Sequence, residues 1–88
     1  MARVRLRGQL KRLAGDAEQD VAAADVAGLL GELERTRPAL AGWVLDERGA
    51  LRRHINVFVN GERADLAAPL QADDVVDVLP AISGGSTP

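Results

Sequence analysis

The stretch "HINVFVNGERADL", residues 54–66, decides the fold. Ile55, Val57 and Val59 alternate with Asn56 and Phe58, the period of two expected of a strand with one buried face. Asn60-Gly61 follows directly. A two-residue hairpin turn needs positive φ at both central positions, and Asn-Gly is the pair that supplies it most cheaply. Two further segments share the strand pattern. "ARVRLR" (2–7) sets Val4 and Leu6 against Arg3, Arg5 and Arg7, and "VVDVLP" (75–80) sets Val76 and Val78 against Val75, Asp77 and Leu79, with Pro80 as its stop.

Between these strands lies one strong helix. In "DVAGLLGELERTRP" (25–38), Val26, Leu29, Leu30 and Leu33 fall at i, i+3, i+4 and i+7 on one apolar face. Asp25 is placed to cap the first free N–H groups, Pro38 to end the helix near Arg37, and Glu32, Glu34, Arg35 and Arg37 to face solvent. "GQLKRLAG" (8–15) reads as a short helical turn with a glycine stop, and Val21 and Ala23 as part of a weak second strand. In "ALAGWVLDERGALRR" (39–53), Leu40, Trp43, Val44 and Leu45 are expected anchors, with a turn at 47–49. "LAAPLQADD" (66–74) is a returning loop. The order specifies an α+β roll: a mixed sheet of about four to five strands with one main helix packed on one face.

Composition narrows the function. Eighty-eight residues with only Trp43 and Phe58 as aromatics make one small domain with an aliphatic core and little room for an enclosed active site. There is no cysteine, hence no disulfide, thiolate metal site or thiol nucleophile, and a single His makes structural zinc improbable. The formal charge of −2 argues against nucleic-acid binding. No apolar stretch approaches the roughly 20 residues of a membrane span, and residues 1–15 lack the apolar core of a signal peptide. The cytoplasm is the default compartment. His54 has no catalytic companions, Asp73 and Asp74 suit a turn, and Lys11, the one lysine, suits a solvated surface.

"NVFVNGE" (56–62) followed by "ADDVVDVLPAISGG" (72–85), with the helix and the "LDERGALRR" loop (45–53) upstream, resembles the ubiquitin-like sulfur-carrier family. Its members include the small subunit of molybdopterin synthase and the carriers of the thiamine and cysteine pathways. The resemblance implies a ubiquitin-like β-grasp roll over residues 1–80, its first and last strands parallel neighbours at the centre of the sheet. The resemblance also implies that residues 81–88 form a flexible C-terminal tail. It implies no catalysis by the chain itself and no bound cofactor or metal. Instead, an E1-like adenylating enzyme uses ATP to activate the carboxylate of Gly85, and a sulfur donor converts the adenylate to a thiocarboxylate. A sulfur-accepting synthase then receives the sulfur, in cysteine, secondary-metabolite or similar biosynthesis.

The chemistry explains the residues. A carboxylate is a poor electrophile until it carries a leaving group, and a glycine tail passes a narrow channel without a side chain to clash. Ile82, Ser83 and Gly84 thread that channel in this reading, and residues 81–85 extend about 17 Å. Gly85 is joined to Ser86, so activation requires cleavage between them; some relatives lose such an extension to a JAMM-type metalloprotease. Removal of Ser86-Thr87-Pro88 is therefore expected. Phe58 and Leu79, rimmed by Arg3, Arg5 and Arg7, form a candidate partner-docking patch, with Arg5 opposite Asp77. Alternatives that the residues leave open are the small subunit of molybdopterin synthase, a ubiquitin-like modifier joined to protein amines, and a β-grasp binding subunit that is never activated.

Overall fold

A computed structural model describes residues 1–15 and 18–80. Strand β1 (Ala2–Leu6) leads into α1 (Gly8–Ala14) and β2 (Glu18–Val21); α2 (Val26–Thr36) and a 3₁₀ turn (Pro38–Leu40) follow; β3 (Ile55–Val59), β4 (Glu62–Arg63) and β5 (Val75–Pro80) complete the order. The described strands form one sheet in the order β2-β1-β5-β3-β4. β1 and β5 run parallel, with Val4 opposite Val76 and Leu6 opposite Val78, whereas β1–β2, β3–β4 and β3–β5 are antiparallel. Parallel neighbours at the centre of a five-stranded mixed sheet make this the β-grasp roll expected from the sequence.

One face of the sheet is covered. Val4, Leu6, Val76, Val78, Val57 and Ile55 meet Val26, Leu29, Leu30 and Leu33 of α2 and Leu10 of α1 in a continuous aliphatic core. Each fully buried Leu or Val contributes roughly 1.5–3 kcal/mol relative to exposure. Helix α2 starts as its sequence specifies: the Asp25 carboxylate accepts from the Gly28 N–H at 2.8 Å. It ends at Thr36, just before the proline. The hairpin after β3 also forms as read, with Asn60 at φ 51° and Gly61 at φ 87°.

Four features depart from the sequence reading. Trp43 is not a core anchor but 39% exposed. After the 3₁₀ turn the chain bends at Gly42, which has positive φ, so Leu40 and Val44 take the buried places and the large ring stays outside. Glu34 is not merely solvated. Its Oε2 accepts the N–H groups of both Val44 and Leu45 at 3.0 Å, fastening the connector to the helix. Arg37 donates to the Gln19 side chain at 2.6 Å and to the Ala14 carbonyl at 3.4 Å, linking α1 and β2 to the end of α2. The weak second strand is present but ends at Val21, leaving Ala23 outside it.

Asn60 does more than turn the chain. Its N–H donates to the Val75 carbonyl, its Oδ1 accepts from the Val75 N–H, and its Nδ2 donates to Asp74 Oδ1, at 2.8, 3.0 and 3.0 Å. Asn60→Ala removes the side-chain bonds and places a Cβ residue without asparagine's tolerance in left-handed backbone. Urea unfolding should show a loss of about 1–3 kcal/mol.

Candidate functional site

The strands that hold the core present their other residues outward, and the registers fix a grid. Glu18, Arg5, Asp77, Phe58 and Arg63 stand side by side across β2, β1, β5, β3 and β4. Arg3 lies beside Asp20 and Val75 in the adjoining row, and Leu79 lies opposite Asn56 in the row beyond. The residues expected to form a docking patch therefore share one face. Phe58 is half-buried with the Arg63 guanidinium 5.7 Å from its ring centroid, a cation–π contact, and Arg63 also donates to Asn56 Oδ1 at 2.7 Å. Arg63 was not anticipated. The signal was available, since a two-residue Asn60-Gly61 hairpin necessarily sets residue 63 opposite residue 58.

The arginines are engaged rather than a bare basic rim. Arg3 pairs with Glu18 at 2.9 Å and Asp20 at 3.3 Å. Arg5 grips Asp77 with two hydrogen bonds, Nε to Oδ1 at 2.8 Å and Nη2 to Oδ2 at 3.0 Å. Arg7 approaches the same carboxylate at 3.6 Å. The Asp77 side chain is only 16% exposed. Hydrogen bonds from Arg5 hold its carboxyl below the usual aspartate range, the Arg5 and Arg7 charges adding to this against the opposing effect of desolvation.

The tail leaves from a defined corner. Pro80 pairs with Ile55 across the β5–β3 ladder, and a Cβ on Gly8 would come 3.3 Å from the Pro80 ring. Gly8 has φ +59°, so the turn from β1 into α1 and its close approach to Pro80 both call for glycine. Arg7 and Lys11 line a hollow with Gly8 and Glu18, whereas Asp20 and Asp73 line one with Arg3 and Val75 at the opposite end of β1 and β5. Residues 81–88, including Ile82, Ser83, Gly84, Gly85 and Ser86, lie outside the described residues.

A surface hollow of about 630 Å³ lies away from this corner, between the β3–β4 hairpin and Asp65–Pro69. It contains no nucleophile–base pair. Among the described residues no cluster of three His, Asp or Glu side chains is placed to hold a metal, and no helix is long and apolar enough to cross a membrane.

The sequence matches the ThiS family over residues 4–85, from the first core strand to the second glycine of the pair. The chain belongs to that family. It is 40% identical over 62 residues to small archaeal modifier protein 1 of Haloferax volcanii, covering 70% of this chain and 71% of that protein. The crystal structure of that modifier superposes with a TM-score of 0.84, covering 96% of this chain and 98% of the modifier at 36% identity. The solution structure of small archaeal modifier protein 1 from Methanosarcina acetivorans gives 0.85 at 29% identity, covering 96% and 95%. A chain of the Amycolatopsis orientalis BexX/CysO complex gives 0.84 at 26% identity, covering 97% and 100%. This ThiS-family chain therefore has the expected ubiquitin-like β-grasp fold and is similar to proteins named as modifiers.

The Arg5–Asp77 pair should register in acid. A carboxyl depressed in the folded state stabilises fully above the unfolded aspartate value, about 3.9, and loses that contribution as pH falls through its lower folded value. Asp77→Asn should lower the urea midpoint at pH 7. Wild type and variant should converge as the pH drops below about 4.

Proposed function

We propose that this chain is a sulfur carrier whose working group is the carboxylate of Gly85, exposed when whatever follows it is cleaved away. The observation that carries the reading is the extent of the family match. It ends on Gly85 and leaves Ser86-Thr87-Pro88 beyond it. An E1-like adenylating enzyme supplies the activation in this reading, spending ATP to place AMP on Gly85. A sulfur donor then exchanges the adenylate for a thiocarboxylate, which a sulfur-accepting synthase consumes. A JAMM-type metalloprotease suits the cleavage between Gly85 and Ser86.

The described residues support this division of labour. The β-grasp body offers a firm platform, and the sheet face carrying Phe58, Leu79, Arg3, Arg5 and Arg7 is the proposed docking surface. With Ile82, Ser83 and Gly84 as the threading segment, residues 81–85 extend about 17 Å from the last strand, enough to reach a site recessed inside a partner. The ion pairs on that face hold its side chains in fixed positions before docking, which reduces the ordering cost of association. That a 26% identical chain belongs to a BexX/CysO complex supports docking of this fold on a partner protein.

A second reading, a protein modifier whose activated Gly85 is joined to amines, is favoured by the 40% identity to a protein named as a modifier. Both readings share the adenylate and differ in the attacking group. Intact mass of the protein from its own host separates them. A chain ending at Gly85, with a fraction heavier by one oxygen-to-sulfur exchange, is the expected result. Chains that end at Gly85 without any sulfur-shifted form, accompanied by high-mass conjugates, would establish the modifier instead. A population that always retains Ser86 would sink both.

A further inference from the structure

We infer that Asn60-Gly61 is a self-modification site held shut by the fold. Where the β3–β5 edge opens, the Asn60 side chain loses ammonia to the following backbone nitrogen, and that molecule is marked permanently. Asn60 and Gly61 are exposed at the tip of the β3–β4 hairpin. An asparagine Cγ and the backbone nitrogen of the next residue can close an unstrained five-membered ring. A side chain on the next residue obstructs that closure, and glycine has none. The chain carries its own comparison: the other asparagine, Asn56, is followed by β-branched Val57, which crowds the attacking nitrogen.

The step balances without oxidant or reductant. The Gly61 nitrogen gives its proton to solvent base and bonds to Asn60 Cγ. The bond from Cγ to Nδ2 breaks, and Nδ2 takes up a proton and leaves as ammonia. Water then opens the resulting succinimide at either carbonyl. One opening leaves an aspartyl residue; the other leaves an isoaspartyl residue, in which the main chain runs through the former side chain.

The folded structure opposes ring closure by clamping the amide on both sides. Closure requires Cγ to swing onto the Gly61 nitrogen and Nδ2 to depart. Yet Oδ1 accepts the Val75 N–H at 3.0 Å, and Nδ2 donates to Asp74 Oδ1 at 3.0 Å. The Asn60 N–H donates to the Val75 carbonyl at 2.8 Å. Asp74 is itself fixed, its Oδ2 accepting the Gln71 N–H at 2.9 Å. Attack is therefore confined to molecules in which this edge has opened.

The product cannot restore the clamp. A carboxylate at position 60 has no N–H to give Asp74 and meets a second negative charge there. Donation from the Gln71 backbone, then from the Asn60 amide, holds the Asp74 carboxyl below the usual aspartate range, so it is ionised at neutral pH. The isoaspartyl form also adds a main-chain carbon to a hairpin turn built on φ 51° and 87°, and so changes the spacing that the turn requires.

The test follows the full chain by intact mass in folding buffer and in guanidinium chloride at one pH and temperature, with peptide fragments locating the change. In denaturant Asn60 should exchange its NH2 for OH, giving both aspartyl and isoaspartyl forms, while Asn56 persists. In buffer the same conversion should be slower by about tenfold or more. Equal rates in the two conditions, or loss of Asn56 as fast as Asn60 in denaturant, overturns the inference. Asn60→Asp reads the consequence separately. It should lower the guanidinium midpoint, and lower it less in an Asp74→Asn background, where the like charge is gone. A midpoint equal to wild type, or the same drop in both backgrounds, overturns the like-charge account of the mark.

Discussion

The parallel pairing of β1 with β5 is the constraint on which the rest of the molecule depends. It joins residues near the two ends of the described chain, Arg3 to Val75 and Leu6 to Val78, so every other element must be ordered around it. Parallel neighbours cannot be connected by a tight turn and need a crossover, here one containing α1, β2, α2 and the β3–β4 hairpin. Val4, Leu6, Val76 and Val78 at this seam are at most 2% exposed and form the centre of the core. Because the seam assembles only after a long loop closes, helix α2 and the β3–β4 hairpin are the local structures best placed to form first.

The same seam positions Pro80. With β5 at the centre, the chain emerges at Pro80 between the β1–α1 turn and the start of β3, and Gly8 lets that turn approach without a side chain in the way. The body thus fixes the position of Pro80, the last described residue. The seam also brings Arg5 and Arg7 to Asp77, so the outward face is a set of paired charges with Phe58 and Leu79 among them. The exposed Arg3 pairs contribute little to stability, whereas the bidentate Arg5–Asp77 pair is partly covered and supports the fold.

Much of the fold was legible because its elements obey short-range rules. The Asn60-Gly61 turn, the Asp25 cap and the Pro38 stop each act over a few residues, and the alternation in β1, β3 and β5 sorts the two faces. Trp43 was misjudged because size and hydrophobicity do not say which way a turn directs a side chain; the bend at Gly42 decided that. Glu34 and Arg37 were misread because a helical wheel cannot show that a loop or a neighbouring strand will fold back over the polar side.

By itself the sequence determined the α+β roll and the covered face of the sheet, since periodicity and turn chemistry are written locally; the β-grasp class was read from its resemblance to a known family. Tertiary structure decided that Asp77 collects two arginines and that Arg63 lies over Phe58. These facts depend on strand register and on which elements become neighbours. The physical reason is that register is set by the packing of the whole core, and no single segment contains that information.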